Sequence, residues 1–241
     1  MSNDKVEAVE RALAVLEAFH TERPVMTLGE IAAATGFYKS TILRLAASLE
    51  RFGYLVREES GAFRLGPALW RLGSIYRGGF DLGEAIRPEL RRLAETTGET
   101  ASFYIREGRS RVCLFRHNSL QSARHHLEEG ALLPLNAGAS AHVLAAFSDG
   151  KGPKAKAVRQ RGYCVSLGER DPQLAAVAVP IFDLTGTFRG SLAVSGLIGR
   201  FSERARGTAL AQLSASADRL RSLLPADDDF TAAKSASAGR R

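Results

Sequence analysis

The chain has 241 residues, of which 45% are hydrophobic and 24% charged, with two cysteines and a formal net charge of +7. This composition excludes a wholly disordered, collagen-like or disulfide-scaffold protein and predicts one large or two small domains. Cysteines outside any zinc-type spacing, and a start without a signal-segment pattern, favour a cytoplasmic protein. The longest uncharged stretch contains Pro134, Asn136 and His142, so we expect no membrane span.

Charge changes sign within the N-terminal third of the chain. Residues 1–38 carry three basic and six acidic side chains, whereas residues 39–77 carry seven basic and three acidic ones. Such a change is expected when only one face of a small domain meets phosphate. The remaining positive charge lies beyond residue 80, so net charge alone does not identify a DNA-binding protein.

Two helices are predicted at the start of the chain. The first is indicated by apolar residues at helical spacing, Val6, Val9, Leu13 and Leu16. For the second, Thr27 and Glu30 have the spacing of a capping box, and Gly36 favours a left-handed stop. The second helix is therefore short, about two turns long.

A third helix is predicted from Tyr38 to the glycine at position 53. Its buried stripe is predicted to be Ile42, Leu45, Leu49 and Phe52, and its outward face Ser40, Arg44, Ala47 and Arg51. Two helices joined by a short glycine-containing turn are typical of a helix-turn-helix. The next residues alternate and turn at positions 60–61, which predicts a two-stranded β wing. Residues 5–66 are thus predicted to form a winged helix-turn-helix.

The rest of the chain is predicted to contain a connector and a second domain. Pro67 suits the first residue of a linker helix over residues 67–79. From 80 to 225, helical and strand-like runs predict an α+β domain, an antiparallel sheet with flanking helices. We expect an edge strand within residues 122–130 and a loop over 132–140. The tail, residues 226–241, is poor in apolar residues and is predicted to be disordered.

Residues 27–55 closely resemble the winged helix-turn-helix of IclR-type (isocitrate lyase regulator-like) bacterial transcription factors. The likeness continues in order, at the family's spacing, through residues 63–66, 133–135, 161–163 and 178–183. It implies a DNA-binding N-terminal domain and a GAF-like C-terminal domain that binds a small effector. It also implies homodimers or homotetramers that repress or activate operons. We expect no cofactor.

The third helix is the predicted reader of double-stranded operator DNA, because the major groove admits one helix. The positions expected to contact DNA are Thr27, Tyr38, Lys39, Ser40, Thr41, Arg44 and Arg64. Arg44 is the long side chain of the outward face and the candidate for base readout. Residues 39–41 begin the helix, where amides and hydroxyls favour a phosphate.

Two departures from the family pattern affect the predicted DNA interface. Tyr38 replaces the usual proline at the start of the recognition helix, which changes the group offered to DNA. Glu58 and Glu59 lie at the wing turn, where they would repel phosphate. We therefore expect a weakly engaged wing tip.

An effector site is predicted where a loop enters the helix that follows residue 138. Free amides at a helix N-terminus bind anions such as carboxylates. Matched to the family, the expected effector-contacting residues are Asn136, Ala139, Ser140, Ala141, His142, Ala176, Ala193 and Ser195. Among the strand positions only Ser195 is polar, which favours an apolar or aromatic carboxylic acid over a highly hydroxylated ligand.

Two other classes of function stay open at this stage. One is a small-molecule-binding module whose helix-turn-helix contacts protein, and the other is a GAF-like thiol enzyme using Cys113 or Cys164. No nucleophile elbow, P-loop or dinucleotide fingerprint is present. His117, His125 and His126 lack the spacing of a metal site. We therefore predict a non-enzymatic regulator without catalytic residues or metal.

Overall fold

The computed structural model describes residues 5–20, 22–78, 82–122 and 127–224, in two compact units that divide between Phe80 and Asp81. The predicted disordered tail, together with Gly79, His125 and His126, lies outside the described residues. In the part of the chain that is described, no helix is both long and apolar enough to cross a membrane.

The first unit begins with the helices α1 (Glu7–Glu17), α2 (Leu28–Thr35) and α3 (Lys39–Arg51). They pack around a core that includes the fully buried side chains of Val15, Ile31 and Ile42. The predicted capping box is confirmed, because Thr27 Oγ1 accepts from the Glu30 amide at 3.3 Å and Glu30 Oε2 accepts from the Thr27 amide at 2.7 Å. Gly36, with φ 72°, ends α2 as predicted.

Helix α3 has the predicted amphipathic division except at its end. The outward residues Ser40, Arg44, Ala47 and Arg51 are exposed, and Leu45 and Leu49 are half-buried against the core. The prediction that Phe52 is buried is wrong, because its side chain is 68% exposed. α3 ends at Arg51 and the chain turns through Gly53, at φ 76°, so the helical period no longer sets the direction of Phe52.

The wing has three strands rather than the predicted two. They are β1 (Val25–Met26), β2 (Leu55–Arg57) and β3 (Phe63–Leu65), in the antiparallel order β1-β3-β2. The extra strand forms because the free edge of β3 pairs with the segment before α2, which buries Met26. Helix α4 (Pro67–Gly78) follows the wing.

The second unit is an antiparallel sheet with helices packed on it. Its elements are α5 (Leu82–Thr97), β4 (Thr100–Glu107), β5 (Ser110–His117), β6 (Leu132–Pro134), α6 (Ala139–Ser148), α7 (Pro153–Arg161), β7 (Cys164–Leu167), β8 (Leu174–Phe182), β9 (Phe188–Leu197) and α8 (Glu203–Leu223). The strand order is β6-β5-β4-β9-β8-β7. α5 packs against α8, and α6 against α7, and both pairs contact the sheet. The predicted α+β architecture is confirmed.

The edge strand of this sheet lies later in the chain than predicted. β6 pairs with β5 and falls within the stretch predicted as a loop. Residues 127–130 form no strand, because the chain turns at Gly130, with φ 85°. The Gly130 amide donates to the Cys113 carbonyl of β5 at 2.7 Å, and the regular ladder with β5 follows in β6. The prediction of a strand over residues 122–130 is therefore wrong where the chain is described.

Candidate DNA interface and effector site

The N-terminus of α3 is open to solvent. Its N-cap, Tyr38, is 85% exposed and makes no side-chain cap, and Lys39 and Ser40 are also exposed. The first amide bonded within the helix turn is that of Ile42, which donates to the Tyr38 carbonyl at 3.1 Å. The amides of residues 39–41 therefore point out of the helix end, where a phosphate oxygen can accept from them.

Arg44 lies one turn beyond Ser40 on the same outward face. Its side chain is exposed, and within the described residues neither Arg44 nor Lys39 makes an ion pair. A long guanidinium group without an internal partner can donate two parallel hydrogen bonds to a base edge or a phosphate. The structure thus places five predicted DNA-contact positions, residues 38–41 and 44, at one end of one helix.

The other two predicted DNA-contact residues already have polar partners. Thr27 Oγ1 donates to the Glu30 carboxylate at 2.8 Å, and the hydrogen bonds from the Thr27 amide and hydroxyl lower the pKa of Glu30. Arg64 Nε donates to Glu58 Oε1 at 2.6 Å. An exposed pair of this kind contributes at most about 1 kcal/mol, so a phosphate can compete for Arg64 only at a small cost.

In the second unit, a cavity of about 40 Å³ lies at the N-terminal end of α6. Five of the predicted effector-contacting residues line it: Ala139, Ser140, Ala176, Ala193 and Ser195. The first two belong to the first turn of α6, and the other three to the facing strands β8 and β9. Sequence positions more than 30 residues apart therefore meet at one site.

The other three predicted effector-contacting residues do not line this cavity. Asn136 is exposed, and Ala141 is fully buried elsewhere in the packing of α6. His142 lies beside the carboxylate of Glu169, with His142 Nε2 2.5 Å from Glu169 Oε2, and Lys154 Nζ is 2.8 Å from the same ring nitrogen. The cavity at the start of α6 is therefore formed without these three side chains.

Glu169 places a carboxylate of the protein itself at the end of α6. Its Oε2 accepts a hydrogen bond from the Gly138 amide at 3.0 Å. Partial burial raises the pKa of Glu169. Hydrogen bonds from the Gly138 amide, His142 and Lys154 lower it, as does the charge of His142. These lowering contributions are the larger ones, and the pKa is about 2. The N-terminal end of α6 therefore already binds one carboxylate of the protein itself, that of Glu169.

Sequence reasoning missed the polar half of the cavity lining. The missed polar residues are Tyr104, Arg111, Arg116, Ser166 and Arg170. Three of these missed residues are arginines, and among the described residues no acidic side chain lines the cavity. Of these residues, Arg111 could have been predicted from the sequence. It lies two residues before Cys113 in the same strand, so both side chains lie on the same, buried face of the sheet.

A β-bulge explains why Arg116 could not be found in the same way. In the β4–β5 ladder Tyr104 pairs with Cys113 while its neighbour Phe103 pairs with Phe115, so Leu114 is an extra residue. Strict alternation would direct residues 111 and 116 to opposite faces of the sheet. The extra residue reverses the alternation and brings Arg116 to the face of Arg111.

The two cysteines do not have the environment of a reactive thiol. Both Cys113 and Cys164 are buried, and burial raises the pKa of each to about 11. A thiol with such a pKa is almost entirely protonated at neutral pH and is a poor nucleophile. Within the described residues no group of three or more His, Cys, Asp or Glu side chains is placed to hold a metal ion.

Comparison with known proteins gives the same family for both units. The family model described as "IclR helix-turn-helix domain" matches residues 8–59. The model described as "Bacterial transcriptional regulator IclR C-terminal" matches residues 76–156 and 153–222. A curated relative, the HTH-type transcriptional regulator BhcR of Paracoccus denitrificans, is 30% identical over 239 residues, which cover 88% of this chain and 83% of that protein.

Solved structures share the fold over most of the chain. An IclR transcriptional regulator from Alicyclobacillus acidocaldarius is 25% identical with a TM-score of 0.76, covering 90% of this chain and 98% of its own. An IclR homologue from Microbacterium hydrocarbonoxydans, solved in complex with 4-hydroxybenzoate, is 21% identical with a TM-score of 0.75, covering 89% and 98%. At 21% identity the second likeness supports the fold alone.

Proposed function

Because the chain belongs to the IclR family of bacterial transcriptional regulators, which are DNA-binding proteins and not enzymes, we propose that it reads a specific operator through α3 under the control of an organic acid. The acid binds in the cavity at the end of α6. The observation that carries the DNA part is the exposed N-terminal half of α3, where Lys39 and Arg44 have no ion-pair partner in the described residues.

In this proposal each side chain at the end of α3 has a distinct role. Arg44 donates to a base edge in the major groove, and guanine is the base whose two acceptors match its guanidinium. Lys39, Ser40 and Thr41 bind the flanking phosphates through one charge, two hydroxyls and the free amides. Tyr38, with its side chain 85% exposed, reaches the DNA backbone beside them.

The operator is read by two copies of the chain. Val6, the N-cap of α1, and Val9 and Leu13 on α1 form an apolar stripe and are 63%, 55% and 55% exposed. A second copy that packs the same stripe against the first would remove it from water and give a two-fold dimer. Two recognition helices then read half-sites separated by whole turns of about 10 base pairs. Sedimentation should give the mass of two chains or a multiple; a monomer at DNA-binding concentrations would contradict this assembly.

The acid-binding role rests on the lining of the cavity. Three arginines and the first turn of α6 line it, and these are groups that bind a carboxylate. A homologue of the same fold was solved with an organic acid, 4-hydroxybenzoate, and we propose the same ligand class for this chain. A cavity of about 40 Å³ has room for roughly one or two water-sized groups, so a larger acid must push some lining side chains outward. That movement can alter DNA affinity by about 1–3 kcal/mol through α4, which precedes the second unit in the chain.

DNA binding by Arg44 is tested by fluorescence anisotropy with DNA from upstream of the gene that encodes this chain. Arg44→Ala should weaken specific binding by about 1–3 kcal/mol, roughly 5- to 150-fold, because it removes a bidentate contact to one base. The matched control is Arg221→Ala, an exposed arginine near the end of α8 in the other unit, which should leave the affinity unchanged.

Two results would separate the remaining alternatives. Equal DNA affinity of the Arg44→Ala variant and the wild type would remove Arg44 from the interface. Absence of any salt-dependent DNA binding by the wild type would favour a binding module whose helix-turn-helix contacts protein instead. The thiol-enzyme alternative is disfavoured by the buried, high-pKa cysteines and by the regulators to which the chain is similar.

A further inference from the structure

Arg111 is a buried cation without an acidic partner. Its side chain is 2% exposed, and no carboxylate of the described residues lies within ion-pair distance of it. One end of the guanidinium is occupied, since Nη1 donates to the carbonyls of Pro134 at 2.6 Å and Ala137 at 3.0 Å. Its Nε is buried and has no hydrogen-bond partner. A buried charged donor left unsatisfied costs free energy that a bound anion would recover.

The surroundings of Arg111 contain further positive potential. The guanidinium lies over the ring of Tyr104, 5.7 Å from its centroid, and burial lowers the pKa of Arg111, with the nearby charge of Arg170 acting in the same direction. An arginine nevertheless remains protonated at every physiological pH. The cavity therefore holds a fixed positive charge.

The first turn of α6 offers donors to the same cavity. Gly138 donates its amide to Glu169, but within the described residues the amides of Ala139 and Ser140, which line the cavity, have no hydrogen-bond partner. Gly138 lies directly against the arginine, since a Cβ added there would be 3.4 Å from Arg111 Nη2. The unsatisfied Nε and the free helix amides are thus independent observations on one cavity.

We propose that Arg111 is the residue that selects carboxylates over neutral ligands, its Nε and the Ala139 and Ser140 amides together binding the carboxyl group of the effector. This inference rests on the proposed effector site and names the group that reads the ligand's charge. Because Nη1 of the same guanidinium holds the loop before α6, the bound carboxylate also ties β5 to the start of that helix.

The first test compares acids with their uncharged amides on the full wild-type chain. Isothermal titration calorimetry would use three pairs: pyruvate and pyruvamide, benzoate and benzamide, and 4-hydroxybenzoate and 4-hydroxybenzamide. At least one acid should bind, and its amide should bind at least 10-fold more weakly. Equal affinity of a binding acid and its amide, or no binding by any of the acids at millimolar concentration, would overturn the proposal.

The second test compares two arginines of one hairpin. Arg111→Met should weaken binding of the acid at least 30-fold. Arg109→Met makes the same charge change at an exposed position between β4 and β5, and should leave affinity within 2-fold. Arg111→Lys retains the positive charge but not the planar guanidinium group, so its affinity for the acid should lie between those of Arg111→Met and the wild type. An unchanged affinity in Arg111→Met would overturn the assignment.

A third measurement tests the proposal on the wild type, so that it remains testable if the Arg111→Met variant fails to fold. The Nε–H resonance of Arg111 in the wild type, identified by its loss in Arg111→Lys, should shift as the acid is added. Binding without that shift would overturn the proposal. DNA binding, measured in parallel with these titrations, distinguishes failure of the Arg111 assignment from failure of the proposed function. Specific DNA binding without acid binding would contradict only the role of Arg111. Arg111-dependent acid binding without DNA binding would contradict only the operator-reading function.

Discussion

Two helix N-termini of this protein offer the same chemistry in opposite surroundings. At the start of α3, free amides, hydroxyls and the cations Lys39 and Arg44 face solvent. At the start of α6, free amides lie beside Arg111 in a region where Ala139, Ser140 and Arg111 are each at least 94% buried. An exposed site suits a polyanion that arrives as a surface, whereas a buried one suits a small anion that can be enclosed.

Salt dependence should give the largest difference between the two sites. If a dimer makes about six to ten phosphate contacts, its DNA affinity should fall by about 10³- to 10⁵-fold between 50 and 200 mM salt, because counterions are released. Acid affinity should change by less than about 3-fold over the same range, since buried charges are screened little. Parallel anisotropy and calorimetry titrations measure both.

Similar salt slopes at the two sites would break the comparison. A steep slope for the acid would mean that the α6 site is open to solvent when it binds. A flat slope for DNA would mean that α3 does not lie against phosphate.

Glu169 allows a second test, because only the α6 end carries a carboxylate of its own. The pKa of Glu169 is lowered from 4.5 to about 2 in the folded chain. A lowered folded-state pKa contributes stability that is present above pH 4.5 and is lost as the pH falls towards 2. With its side chain 32% exposed, the contribution is on the order of 1 kcal/mol after solvent screening.

The measurement is denaturant unfolding of the wild type and Glu169→Gln at pH 5 and pH 2.5. Between pH 5 and pH 2.5 the free energy of unfolding should fall less in Glu169→Gln than in the wild type, by about 1 kcal/mol. Glu107→Gln, which changes an exposed carboxylate at the end of β4, is the matched control and should lose as much as the wild type. Identical losses in all three proteins would show that the Glu169 contacts do not stabilise the fold.

The smallest expected effects come from a matched pair of serines, one in each first turn. Ser40→Ala should weaken DNA binding about 3-fold and leave acid binding unchanged, because it removes one hydroxyl donor. Ser140→Ala keeps the amide that binds the carboxyl group but removes the hydroxyl, which we assign as a further donor in the cavity, so it should weaken acid binding about 3-fold and leave DNA binding without acid unchanged. Crossed effects, with either variant altering the other site's ligand, would contradict the assignment of these hydroxyls.

The helix-turn-helix was predictable because its signals are local. The capping box of Thr27 and Glu30, the stop at Gly36 and the outward face of α3 each depend on residues within a few positions of one another. Phe52 was misplaced because it lies one residue past the end of α3. The extra strand β1 was missed since its pairing with β3 joins residues about 40 positions apart.

The effector cavity was only partly predictable. Family matching placed five of the eight predicted residues on the cavity, all of them small, because they are the positions where a ligand can approach the backbone. His142 does not line the cavity, because its partner Glu169, which lies 27 positions away, holds the ring beside Lys154. The arginines that determine the charge of the cavity were absent from the prediction.

The amino-acid sequence by itself determined the helices, their caps, the exposed cationic face of α3 and the α+β pattern, because hydrogen bonds and periodicity within one element suffice for these. Only the tertiary structure decided which edge of β5 is paired, where the bulge at Leu114 reverses the strand, and hence that Arg111 and Arg116 share one cavity. The reason is physical: strand register is set by contacts between distant segments, and a shift of one residue moves a side chain to the other face of the sheet.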